Sequence, residues 1–166
     1  MDKNQLEVLK SLSTLTQSVS FKEFTQMIGL TPNKTLEAVE ELKKMGFIKE
    51  ARGGFSLTKE GMVALKTDST VPESKQFYFY SEVDKPTGLS ANSLKAFYQL
   101  VREVDVAALE FHSTRGDFER WIKNVLKDPQ LAEELARIRV SGLKGENLRK
   151  EISKATESRY SNLNVH

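Results

Sequence analysis

Residues 110–121 read Glu-Phe-His-Ser-Thr-Arg-Gly-Asp-Phe-Glu-Arg-Trp. Glu110, His112, Arg115 and Asp117 are the side-chain types that move protons or hold anions. The same spacing also suits a structural purpose. Asp117 follows a glycine and opens an amphipathic run, a position where aspartate caps a helix. His112 falls at a helix C-terminus, where a partly charged imidazole complements the dipole. Arg115 can bridge to Asp117. The expected role is a helix-to-helix corner, with His112, Arg115 and Asp117 kept as a candidate ligand or anion site.

Other chemistries lack their residues. The chain has no cysteine, which excludes disulfides, thiolate zinc sites and cysteine catalysis. Its histidines are His112 and His166, too few for a multi-histidine metal site. No nucleophile elbow, Walker motif or dinucleotide fingerprint is present. The expectation is a protein that is not an enzyme and uses no metal or cofactor.

The 166 residues are 39% hydrophobic and 29% charged, a globular balance with chain enough for one domain or two small ones. The net charge of +2 does not by itself imply nucleic acid. No apolar run approaches the ~20 residues that cross a bilayer. The first residues read as an amphipathic helix rather than a leader, so the expected location is cytoplasmic. The polar, proline-bearing stretch 68–75 reads as a linker. It divides a domain at 1–67 from one at 76–160, with 161–166 as a disordered tail.

The first segment must position whatever it binds through short helices. Leu6, Leu9, Leu12 and Leu15 recur at helical spacing over 3–17. Ser20-Phe21-Lys22-Glu23 is a capping box, opening a helix with Phe24, Met27 and Ile28 inward. Thr31-Pro32 starts a third helix, whose stripe is Leu36, Val39, Leu42 and Met45. Residues 47–51 and 55–57 flank Arg52-Gly53-Gly54 as a hairpin. Thr58 then caps a last helix.

Taken together, Phe21 to Thr31, Leu36 to Ile48 and Ser56-Leu57-Thr58-Lys59-Glu60-Gly61 resemble a winged helix-turn-helix domain of small archaeal and bacterial transcription regulators, over residues 4–66. The resemblance implies a recognition helix, 32–45, in the major groove and a wing, 47–57, on the DNA backbone. At the start of that helix, Asn33, Lys34, Thr35 and Glu37 would reach base edges. Arg52, Lys22, Lys49 and Lys59 would contact phosphate. Acidity opposes this: Glu37, Glu40 and Glu41 would repel phosphate. The function expected is a DNA-binding regulator; the alternatives are a winged-helix protein-interaction adaptor and an RNA- or ribosome-associated factor.

In the second segment, 76–83 is one aromatic strand with Phe77 and Phe79 on one face and Tyr78 and Tyr80 on the other. A lone strand needs a partner, either in a homodimer formed through 76–160 or on the wing. Lys85 to Gly88 reads as a turn, and Ser90 as the cap of the next helix. Helices follow to about residue 160. The fold class is therefore mainly α, a winged helix-turn-helix followed by a helical domain with one aromatic β-strand. Residues 76–155, with their His-x-x-x-Gly-Asp-Phe-x-x-Trp motif, resemble a small domain of unknown function. The basic residues of 137–159 could track phosphates, or form a salt-bridged face with Glu146, Glu151 and Glu157.

Overall fold

The computed structural model describes residues 1–16 and 19–161. The chain is mainly helical, with two small antiparallel sheets among these residues, and divides into two compact units after Asp68.

The first unit runs α1 (Lys3–Thr14), α2 (Phe21–Ile28), α3 (Pro32–Lys44), β1 (Ile48–Ala51), β2 (Gly54–Leu57) and α4 (Lys59–Asp68). The caps explain the boundaries. Ser20 and Glu23 form the reciprocal capping box of α2. Thr31 accepts from the Lys34 amide, with Pro32 in the first turn of α3. The strands pair from Ile48↔Leu57 to Ala51↔Gly54, so Arg52 and Gly53 make the turn. The core comprises Val8, Leu9, Phe24, Val39, Leu42, Phe47 and Ile48, with Ala64 and Leu65 of α4.

Residues 46–61 form the joint of this unit. The Thr58 amide donates to the Phe47 carbonyl at 3.0 Å, and its hydroxyl donates to the Gly46 carbonyl at 2.7 Å. That hydroxyl also accepts from the Gly61 amide at 3.0 Å. A Cβ on Gly61 would lie 1.9 Å from the Phe47 carbonyl oxygen, so α4 seats against this backbone only with glycine there.

Two side chains expected inward point to solvent: Met27 is 57% exposed and Leu36 is 49% exposed. The periodicity places both beside the apolar stripe. The narrow face that α3 turns inward is taken by Thr35, Ala38, Val39 and Leu42 instead.

The second unit runs β3 (Phe77–Glu82), β4 (Lys85–Ala91), α5 (Leu94–Glu103), α6 (Val106–Arg115), α7 (Asp117–Asn124), α8 (Pro129–Val140) and α9 (Gly145–Ser161). The single strand read from sequence is one arm of a hairpin. Lys85 to Gly88, taken as a turn, belongs to β4, and the register runs Phe77↔Ala91, Tyr78↔Ser90, Tyr80↔Pro86 and Glu82↔Lys85. Pro86 and Gly88 weaken a strand signal, which hid β4. Ser93, not Ser90, caps α5. The partner that β3 requires is therefore in its own chain.

Phe77 and Phe79 enter a core with Phe97, Leu109, Phe118, Trp121, Ile122, Leu131, Leu148 and Ile152. The Trp121 indole donates to the Lys75 carbonyl at 2.8 Å. Most of the stretch read as a linker is structured: Val71 donates to the Asn92 carbonyl at 2.7 Å, and Glu73–Lys75 is a 3-10 turn. At the far end, Asp128 caps α8 and binds Arg159 of α9, clamping the last helix. Of the tail read at 161–166, residues 162–166 lie outside the described residues.

Candidate functional site

The residues of the motif at 110–121 do come together, around the carboxylate of Asp117. Gly116, at φ 70, ends α6 and opens α7 at once. Asp117 is therefore the first residue of α7 and not its cap, and its side chain is free to face inward. It accepts from His112 Nδ1 at 2.8 Å and from Arg115 Nε at 3.2 Å, and it also pairs with Arg120. On the other side of the ring, the Tyr80 amide donates to His112 Nε2 at 2.8 Å. A backbone N–H can only donate, so Nε2 holds the lone pair and Nδ1 holds the proton.

His112 is 4% exposed and packs edge-on to Phe77 at 4.8 Å. Burial pushes its pKa below the ordinary value, against the pull of Asp117 and with a small contribution from Arg115. Both nitrogens are committed, so the ring has no free atom for a substrate proton. Glu110 is likewise engaged: its carboxylate accepts from the Gly145 amide at 2.8 Å and so ties α6 to the start of α9. The constellation works as a clamp between β3, α6 and α7. Tyr80 and Arg120 are the members that sequence reasoning missed. A backbone donor carries no signal in its side chain, whereas Arg120 stands three residues after Asp117, at helical contact distance.

In the first unit, Lys22, Asn33, Lys34, Glu37, Lys49, Arg52 and Lys59 are exposed, as a binding surface would need. Thr35 is not. It is fully buried, and its hydroxyl donates to the Thr31 carbonyl at 3.0 Å, so it cannot reach a base edge. The face of α3 opposite its buried stripe carries Asn33, Glu37, Glu40 and Lys44. Lys44 donates to Glu41 at 2.8 Å, which holds its pKa above the usual lysine value. Lys43 reaches across to Glu50 of β1, whose carboxyl pKa is lowered by that bond. The outward surface of this helix is thus acidic, and its C-terminal cations already have carboxylate partners.

The arginines of the basic stretch 137–159 are similarly occupied. Arg137 pairs with Glu133, Arg139 with Glu119, Arg149 with Glu146 and Arg159 with Asp128. Among the described residues, no helix is long and apolar enough to cross a membrane.

Residues 14–64 match the family model of the HemN C-terminal domain. This match corrects the resemblance read for residues 4–66: the segment is similar to the HemN C-terminal domain and not to a winged helix-turn-helix of transcription regulators. The labels of DNA binding and transcription regulation drawn from that resemblance lose its support, because the matched family is a different one. The order of caps, helices and hairpin does recur in the structure, but that order alone does not distinguish one family from another. The match ends before residue 76 and lends nothing to the resemblance read for residues 76–155. No curated protein and no solved structure matches the chain.

Proposed function

We propose that this chain is a protein-interaction adaptor, docking a partner through the outward face of α3 and the adjoining end of α2. The observation that carries this reading is the composition of that face. Glu37, Glu40 and Glu41 are exposed, as are two apolar side chains, Leu36 on the same helix and Met27 near the end of α2. Carboxylates repel a phosphate backbone, whose attraction to cations dominates nucleic-acid affinity. Exposed apolar side chains rimmed by charge suit a protein surface instead. The partner surface this face complements is basic, with apolar anchors for Leu36 and Met27. The match of residues 14–64 to the HemN C-terminal domain, in place of a regulator's domain, is consistent with this reading.

The test has two arms. Mixed-sequence duplex DNA is titrated at low salt with the wild type and with a Lys34→Ala/Arg52→Ala variant. No saturable binding is expected from either protein. In parallel, a partner captured by the wild type is expected to be lost by a Met27→Asp/Leu36→Asp variant whose circular dichroism is unchanged. Saturable DNA binding with a salt slope of about −0.9 per neutralised phosphate, flattening in the lysine–arginine variant, would sink the proposal.

A further inference from the structure

The second unit holds a cleft of about 350 Å³ between the tip of the β3–β4 hairpin and α6. Its walls include the rings of Tyr78, Tyr80 and Phe111. Two of these rings have neighbours of their own. The Tyr78 hydroxyl donates to the Glu73 carbonyl at 3.2 Å, and the Tyr80 ring stands 6.3 Å from His112 at 72°. Tyr78 is 44% exposed, so its ring is open to a ligand.

The charge that lines the cleft at the hairpin tip is acidic. Glu82 and Asp84 line it at the hairpin tip. Asp84 is exposed, and no ion pair reaches it among the described residues. Glu82 pairs with Lys85 at 2.8 Å, with both side chains more than 60% exposed, so that bond is weak and readily exchanged. The one lining cation, Arg115, is already bound to Asp117 and lies over the Phe111 ring at 5.0 Å. An anion would meet an exposed arginine whose charge Asp117 already answers, and two exposed carboxylates beside it. A cation would meet carboxylates and aromatic faces together.

We propose that this cleft binds the guanidinium of an arginine side chain presented by a protein partner, stacked on Tyr78 and Tyr80 and paired with Asp84 and Glu82. Arginine fits better than lysine because its planar, weakly hydrated head stacks on rings and forks onto carboxylates. The chain's own Arg115 makes the same combination elsewhere on the lining, a guanidinium over an aromatic ring with its Nε on a carboxylate. This site lies in the second unit and does not depend on the reading of α3.

The test is an amide chemical-shift titration of the full chain with acetyl-Gly-Arg-Gly-amide. The citrulline peptide, of the same shape without the charge, is the control. The arginine peptide is expected to shift the amides of residues 78–85 and 111–115 with millimolar affinity, more weakly at high salt. Asp84→Asn keeps the turn, since asparagine tolerates the same positive φ, and is expected to weaken binding about fivefold. Tyr78→Leu is expected to abolish it, and Tyr78→Phe to retain it. Equal affinity for the citrulline peptide, or no shift of these amides by the arginine peptide, would overturn the assignment.

Discussion

His112 stands between β3 and α7 as a neutral ring with one donor and one acceptor, each matched by a partner of opposite kind. Protonation would set an Nε2 proton against the Tyr80 N–H, 2.8 Å away. Its pKa is depressed in the folded chain, so the unfolded chain binds the proton first. The stabilisation that follows is complete above about pH 6.5, the unfolded value for histidine, and drains away as pH falls below it. Urea midpoints measured between pH 5 and pH 8 are therefore expected to fall on the acid side. His112→Phe keeps a ring but leaves the Tyr80 amide and the Asp117 carboxylate short of a partner. It is expected to cost about 2–4 kcal/mol at neutral pH and to flatten the pH dependence. A midpoint insensitive to pH in the wild type would refute this account. The spacing His-x-x-x-x-Asp shows that the two side chains can meet across a helix junction. It does not show the third member, because the donor is main chain from a strand 32 residues away.

At the scale of the element, the joint at 46–61 shows why a pattern of small, individually weak signals holds together. Thr58 serves three backbone groups, and Gly61 lets the helix rest on the Phe47 carbonyl. Gly61→Ala gains helix propensity of about 1 kcal/mol. It also forces a methyl to within 1.9 Å of a carbonyl oxygen, so the backbone of α4 or the hairpin must move. The clash wins: a net loss of about 2–3 kcal/mol is expected, read as a lower thermal midpoint by circular dichroism. Unchanged or raised stability would mean that α4 does not seat as described. The hairpin β3–β4 makes the opposite point. Its aromatic arm is plain in the residues, and its second arm, Lys85–Ala91, is concealed by Pro86 and Gly88. The proline costs little in a two-stranded sheet, where both strands have a free edge.

Across the whole molecule, each unit carries its own core, and Trp121, the chain's single tryptophan, lies in the second. Its fluorescence therefore reports that core, while circular dichroism reports the helices of both. Gly61→Ala is expected to move the dichroism transition and leave the Trp121 transition where it stands; His112→Phe is expected to move the fluorescence transition. A shift of the Trp121 transition in Gly61→Ala would contradict two separately reporting cores.

Most helix starts, the first hairpin and most of the apolar core follow from local rules of capping, turn chemistry and periodicity, which act within a few residues and so can be read along the chain. The sequence also places the acids of α3 on solvent, since Glu37 and Glu40 lie opposite the buried stripe at any reasonable helix phase. Tertiary structure alone decided the rest. It turned Leu36 and Met27 outward and Thr35 inward, because the width of a buried face depends on what packs against it. It gave β3 its partner and His112 its second hydrogen bond, because both come from backbone groups, which are the same in every residue and leave no mark in the order of side chains.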